Sequence, residues 1–190
     1  KTAYEIPKRD WSSDVCSSDL AYLPMSALLV SDAIYKAIVK ESEKIGVFGH
    51  GFTYGGHPTS AAVALETQKL YEEWGVFENA RKMIPILQEG MRRFAGHPLV
   101  GEVRGAGLIG AIEMVKDKKT KEAFDPAAGV GAQCAKAAQT RGLILRANVD
   151  IIPFCPPLVI DRAGIEETMN LFGLALDDTL AWARDKNLVA

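Results

Sequence analysis

The sequence of 190 residues has few cysteines and few histidines, and neither sign of charge predominates. Its three cysteines, Cys16, Cys134 and Cys155, show no CxxC spacing, which argues against both a disulfide framework and a zinc site. Reduced thiols of this kind are typical of a cytoplasmic protein. We therefore expect a cytoplasmic location.

Other absences narrow the class of function. The net charge is −2, and acidic and basic residues are mixed along the chain, so there is no basic stripe for nucleic acid and no polybasic patch for a membrane surface. No run approaches the roughly 20 apolar residues that span a bilayer, and the start of the chain lacks the apolar middle of a signal peptide. With 48% hydrophobic and 24% charged residues, the composition is typical of a globular protein. Small-molecule chemistry is favoured.

Residues 49–58, GHGFTYGGHP, form the most distinctive stretch, which we call the glycine loop. Its four glycines permit positive φ angles, so that backbone N–H groups can converge on an anion. Pro58 suits the first position of a helix, whose positive N-terminus would add to the attraction. The loop therefore predicts an anion site, with a plain turn before a helix as the alternative.

The segment 48–66, FGHGFTYGGHPTSAAVALE, resembles the class III aminotransferases that use pyridoxal phosphate, in particular the omega-amino acid or amine:pyruvate group. The similarity runs from about Ala21 to the C-terminus. It implies an α/β protein of the fold type I class of pyridoxal-phosphate enzymes, assembled as a homodimer. It also implies that the backbone N–H of Phe52 and the hydroxyl of Thr53 bind the cofactor phosphate of the other subunit.

Residues 1–20 do not match the family. The run 10–20, DWSSDVCSSDL, resembles an in-frame translation of a sequencing adapter, with a natural Ser/Asp-rich linker as the alternative. The resemblance places the Schiff-base lysine within this run, where Cys16 stands if the lengths match, and the context of Lys8 does not resemble the family's lysine motif. No catalytic residue is therefore assigned, and the isolated chain is expected to be inactive.

The resemblance implies a two-part organisation, with 21–75 as a remnant of the large cofactor-binding domain and 76–190 as the small C-terminal domain. Helices are predicted after the cap Ser31, across 63–74 and 76–94, from the cap Asp125 to Gly142, and after the cap Asp161. Strands are predicted at 28–30, as a pair within 99–115, and at 143–146, 150–154 and 158–160. Helices are thus expected to flank a small sheet.

Residues 105–110, GAGLIG, match the dinucleotide fingerprint GxGxxG in form only. In that fingerprint the glycines join a strand to a helix, whereas a β-branched strand follows them here. We therefore interpret them as a tight turn between strands. A nucleotide-binding domain built on them is a rejected alternative.

Arg146 ends the apolar segment GLILR, and its planar guanidinium can bind a carboxylate through two hydrogen bonds. An ion pair with Asp150 or Glu113 is the alternative. The resemblance implies that Arg146 binds the substrate carboxylate and swings away for amines that lack one, although Val149 replaces the family's usual glycine. Tyr54 is a candidate for substrate contact or for packing.

The histidines His50, His57 and His97 do not form a metal-binding set, and solvated or loop-capping roles are expected for them. The leading hypothesis is the C-terminal portion of a transaminase that moves an amino group from an amine or omega-amino acid to a keto acid such as pyruvate. The alternative is a dimerisation or binding module without catalysis, in which the glycine loop is structural.

Overall fold

The computed structural model describes residues 29–189 together with residues 23, 25 and 27. The predictions for the leader 1–20, for Cys16 and Lys8 and for Leu28 lie outside the described residues. The chain divides into two compact units, Lys1–Glu73 and Trp74–Ala190. The identity of these units as parts of a large and a small domain stays a prediction.

The described part of the first unit consists of two helices joined by the glycine loop. Helix α1 spans Asp32–Ile45, and the Ser31 side chain accepts a hydrogen bond from the N–H of Ile34, as the cap predicted. Helix α2 spans Pro58–Glu73 and begins at the predicted proline. Ala64 is its one buried residue, and α1 has none. Both helices therefore leave much of their apolar surface accessible.

The second unit packs helices against a small antiparallel sheet. Its helices are α3 (Val76–Arg92), α4 (Val130–Thr140) and α5 (Arg162–Asp185), with 3-10 turns at Arg93–Gly96 and Pro126–Ala128. Its strands are β1 (Val100–Ala106), β2 (Ile109–Met114) and β3 (Ile151–Phe154), in the order β1-β2-β3. Gly105 of β1 pairs with Gly110 of β2, which in turn pairs with Phe154 of β3.

The core of the second unit lies between the sheet and helices α3 and α5. Helix α5 buries one apolar face, formed by Ile165, Met169, Phe172 and Leu176. Phe172 packs edge-to-face against both Phe94 and Phe154, with ring centroids 5.1 and 5.0 Å apart. The side chain of Asp161 caps α5 by accepting a hydrogen bond from Gly164 N–H at 2.8 Å. Periodicity and capping thus placed this helix correctly.

Four sequence predictions about secondary structure are wrong. No strand forms at Leu29 and Val30, both of which are exposed. The helix expected from 126 to 142 is interrupted at Gly129, which takes a left-handed conformation with φ 66° between the 3-10 turn and α4.

The other two errors are strands that lack a partner. Residues 143–146 form no strand and pair with no strand among the described residues. Residues 158–160 form a turn, in which the side-chain amide of Asn79 binds the carbonyl oxygens of Leu158 and Ile160 at 2.8 and 2.9 Å. An apolar run becomes a strand only where a neighbouring backbone is free to pair with it.

Candidate functional site

The glycine loop holds its shape through three short-range backbone hydrogen bonds. His50 N–H donates to Phe48 O at 2.8 Å, Gly55 N–H to Phe52 O at 2.9 Å, and His57 N–H to Tyr54 O at 3.2 Å. Residues 44–65 contain no aspartate or glutamate. The loop therefore combines a defined turn with an absence of negative side chains, which suits an anion.

Phe52 and Thr53 lie at the tip of the loop and are exposed, Phe52 at 80% of its full surface. Among the described residues, neither backbone N–H nor the Thr53 hydroxyl has a hydrogen-bond partner. These donors are therefore accessible to a ligand from outside the unit. Their assignment to a cofactor phosphate is compatible with this placement and stays a prediction.

Aromatic residues flank these donors in the chain, and several of their rings contact one another. The rings of Phe48 and His50 stack at 5.8 Å, and His50 meets Phe52 edge-on at 5.2 Å. Tyr54 is 79% exposed, with its ring 5.9 Å from that of His57. Tyr54 thus does not pack into a core within the described residues. Its proposed contact with substrate stays a prediction.

Arg146 lies in the second unit, on an exposed position after the partly buried Leu145. The two ion pairs considered as alternatives do not form. Glu113 binds Arg104 at 2.5 Å instead, and the Asp150 carboxylate accepts a hydrogen bond from Gly131 N–H at 2.9 Å. Among the described residues, Arg146 has no acidic partner. Its guanidinium is therefore available for a carboxylate from elsewhere.

Asp150, one of the two alternative ion-pair partners considered for Arg146, binds elsewhere. Its backbone oxygen accepts a hydrogen bond from Met114 N–H at 2.9 Å, while its carboxylate faces the start of α4. Burial raises the pKa of the Asp150 carboxyl above its usual value, and the hydrogen bond from Gly131 offsets only part of that effect. The chain separation of 19 residues between donor and acceptor left no local signal for this contact.

His97 has a capping role, as expected. Its Nδ1 accepts a hydrogen bond from Leu99 N–H at 3.2 Å, and its Nε2 lies 3.3 Å from the Asp177 carboxylate without the alignment of a hydrogen bond. Burial lowers the pKa of His97 below its usual value, outweighing the opposite effect of the exposed Asp177. The described residues contain no cluster of histidine, cysteine or acidic side chains arranged to hold a metal ion.

The cysteines of the described residues do not suggest nucleophilic chemistry. Cys134 is fully buried in α4, and burial raises the pKa of its thiol to about 11. Cys155 is exposed after β3. A buried thiol with so high a pKa is chemically inert at neutral pH.

The fingerprint-like residues 105–110 form the end of β1, the turn at Gly107 and Leu108, and the start of β2, as interpreted. Gly107 has φ 60°, and the strands run directly on either side of it. No helix begins there to hold a pyrophosphate. The interpretation of this run as a turn between strands is confirmed.

Residues 21–176 match the sequence pattern of the family described as aminotransferase class-III. The chain belongs to the class III aminotransferases. It is 41% identical over 176 residues to a probable gamma-aminobutyrate transaminase 3 of Oryza sativa subsp. indica, covering 93% of this chain and 34% of that protein. It is 44% identical over 150 residues to the uncharacterized aminotransferase y4uB of Sinorhizobium fredii, covering 77% and 32%.

Solved structures show the same relationship. The omega transaminase of Pseudomonas jessenii in complex with PMP aligns with a TM-score of 0.77 at 41% identity, covering 85% of this chain and 36% of that one. A transaminase with L-ala aligns with a TM-score of 0.78 at 43% identity. This class III aminotransferase chain therefore has part of the fold type I architecture, as predicted. It spans about a third of the length of the relatives it matches.

The family settles the cofactor class, because class III aminotransferases depend on pyridoxal phosphate. This confirms the cofactor that the family resemblance implied. The individual roles of Phe52, Thr53, Tyr54 and Arg146 stay predictions. In this aminotransferase chain, Phe52, Thr53 and Tyr54 belong to the first unit and Arg146 to the second.

Proposed function

We propose that residues 21–190 are the C-terminal portion of a transaminase that moves an amino group from an amine or omega-amino acid to a keto acid such as pyruvate. The observation that carries this proposal is the pair of exposed donors at Phe52 and Thr53, to which no described residue is hydrogen-bonded, in a chain of this family. The names of several relatives refer to gamma-aminobutyrate, an omega-amino acid, which supports the donor class.

The glycine loop fits a phosphate group on chemical grounds. A phosphate ester accepts hydrogen bonds from backbone N–H groups and hydroxyls, and it is repelled by carboxylates. Phe52 and Thr53 offer such donors, and residues 44–65 offer no carboxylate. Helix α2 begins at Pro58, the last residue of the glycine loop, and its N-terminus adds a positive partial charge. Phe52 and Thr53 would therefore hold the phosphate of pyridoxal phosphate.

Arg146 would orient a carboxylate-bearing substrate. Its exposed guanidinium has two parallel N–H groups that match the two oxygens of a carboxylate, and no acidic side chain of the described residues occupies them. When bound, the cofactor supplies the electron sink that the reaction needs at the substrate carbon. The residues of this chain would anchor and orient the substrate. Arg146 would bind its carboxylate, and Tyr54 would make a further contact with it.

We further propose that the complete enzyme is a cytoplasmic homodimer, in which the glycine loop of one subunit serves the cofactor of the other. The exposed apolar side chains beside the loop, Val47, Phe48, Phe52 and Tyr54, support an interface there. Within the described stretches, no helix is both long enough and apolar enough to cross a lipid bilayer. The chain of 190 residues alone is expected to be inactive.

The test uses Thr53→Ala in the complete transaminase that contains residues 21–190. Loss of a hydrogen bond to a charged phosphate costs about 1.5–3 kcal/mol, so the dissociation constant of pyridoxal phosphate should rise roughly 10- to 100-fold. Thr67→Ala is the matched control, since its hydroxyl binds Val63 O at 2.9 Å within α2. Thr53→Ser should retain the cofactor. Equal cofactor affinity in Thr53→Ala and Thr67→Ala would contradict the assignment.

The same exposed apolar residues also fit the alternative of a dimerisation module without catalysis. In that case the glycine loop would form an interface but bind no phosphate. Thr53→Ala would then change the dimer dissociation constant or nothing, and it would not alter cofactor retention. Cofactor retention and the dimer dissociation constant, both measured on Thr53→Ala, therefore distinguish the two candidates.

A further inference from the structure

The segment that carries Arg146 is attached to the fold at its two ends. Leu143 N–H donates to Ala138 O at 3.0 Å, and Asn148 exchanges two backbone hydrogen bonds with Ile151, at 2.8 and 3.1 Å. Between these points, residues 144–147 make no backbone hydrogen bond to any described residue. Their side chains alternate, with Leu145 partly buried and Ile144 86% exposed. The segment is thus an extended bridge between two fixed points.

The second fixed point is a turn with an unusual conformation. Val149 has φ 54°, a left-handed geometry that costs a β-branched residue steric strain. Strain of this kind persists only where the surrounding structure holds the backbone in place. The contacts of the neighbouring Asp150 supply that constraint.

Asp150 ties the turn to two elements. Its carboxylate accepts from Gly131 N–H in the first turn of α4 at 2.9 Å, and its carbonyl oxygen accepts from Met114 N–H of β2 at 2.9 Å. The helix also approaches the turn very closely, since a β carbon on Gly131 would lie 1.8 Å from Val149 O. Glycine at 131 and a side-chain acceptor oxygen at 150 are therefore both required by this contact.

We propose that Val149 and Asp150 are positioning residues that lock the chain just after Arg146. With the turn fixed to α4 and β2, the movement of Arg146 toward or away from a carboxylate is confined to residues 144–147. Because Val149 is strained, its backbone leaves the left-handed region once the hydrogen bonds of Asp150 to Gly131 and Met114 are lost. The lock therefore depends on Asp150. The link to substrate choice rests on the function proposed for Arg146, whereas the lock itself does not.

Hydrogen exchange in the 190-residue chain tests the lock. Asp150→Ala should speed exchange of the Gly131, Asn148 and Ile151 amides about tenfold or more, while amides in the middle of α3 keep their rates. Asp150→Asn, which keeps the acceptor oxygen, should exchange like the wild type. Adding Val149→Gly to Asp150→Ala should restore part of the protection, because glycine adopts the left-handed conformation without strain.

Two further variants guard against general destabilisation. Gly131→Ala perturbs the same contact from the helix side, and it should loosen the same amides. Asp161→Ala removes a comparable carboxylate acceptor at the start of α5, and it should leave the turn unchanged. Unchanged exchange at Asn148 and Ile151 in both Asp150→Ala and Gly131→Ala would overturn the lock.

The positioning role is tested in the complete transaminase. Asp150→Ala should raise KM for gamma-aminobutyrate about tenfold and leave KM for benzylamine, which has no carboxylate, and kcat for both nearly unchanged. Equal changes in KM for the two donors would overturn the positioning role, even if exchange supports the lock. Absence of transaminase activity in the wild-type enzyme would instead contradict the proposed function, and the exchange result would stand.

Discussion

Gly110 of β2 lies against the buried side chain of Met91 of α3, so closely that a β carbon on Gly110 would be 2.2 Å from the Met91 methyl. Gly105, on the facing strand, is similarly close to the side chain of Gln88. Two glycines of the fingerprint-like run therefore serve the packing of a helix on the sheet. Their function is structural, and a nucleotide is not needed to explain them.

Gly110→Ala should destabilise the chain. The added methyl must displace Met91, which is fully enclosed, and overpacking of this kind costs roughly 1–3 kcal/mol. Urea unfolding followed by circular dichroism measures the change. Gly96→Ala is the control, because a β carbon there meets nothing within 4 Å. Equal free energies of unfolding for the two variants would show that the glycine at 110 is not required by packing.

His97 should give the chain a stability that depends on pH. Burial lowers the pKa of His97 below 6.5 in the folded state, so folding favours the neutral ring. Its contribution is therefore complete above pH 6.5 and is lost as the pH falls through the lowered pKa. Urea unfolding between pH 5 and 8 should show this loss in the wild type, and His97→Asn should remove it.

Asp177→Asn supplies the second half of that experiment. The Asp177 carboxylate raises the pKa of His97 against the larger effect of burial, so its removal should move the loss of stability to lower pH. The shift should be small because Asp177 is exposed and its charge is screened by solvent. A move to higher pH would contradict the assignment of causes.

The two cysteines of the described residues should differ sharply in reactivity. In a Cys16→Ser background, a thiol reagent at pH 8 should label exposed Cys155 at least about a hundredfold faster than Cys134, whose pKa is raised to about 11. Cys155→Ser should leave only slow labelling, which becomes fast in urea. Rapid labelling of Cys134 in the folded chain would mean that α4 is not packed as described.

Local signals predicted the helices well. Ser31 and Asp161 each accept a hydrogen bond from an N–H at the start of the helix that they were expected to cap, whereas Asp125 caps only the 3-10 turn at Pro126–Ala128. These interactions join residues two or three positions apart, so the sequence contains both partners in one window. The turn at Gly107 was predictable for the same reason.

Long-range contacts set the limits of prediction. The apolar run 158–160 was predicted as a strand, but Asn79, far away in the chain, binds two of its carbonyl oxygens. An ion pair between Arg146 and the Asp150 carboxylate was one alternative that the sequence left open, yet this carboxylate faces Gly131. The loop residues Phe52 and Thr53 were found through the family resemblance, which carries information that spacing alone lacks.

The central claim is that Thr53 binds the cofactor phosphate held by a neighbouring subunit. Hybrid dimers of the complete enzyme test it, with Thr53→Ala on one subunit and the cofactor-binding lysine replaced by alanine on the other. If Thr53 acts across the interface, the subunit with the intact lysine receives its Thr53 from the other subunit, which still has the threonine. That one site is then complete, and the hybrid should have about half the wild-type activity at limiting pyridoxal phosphate. Activity no higher than half that of the Thr53→Ala homodimer would contradict the claim.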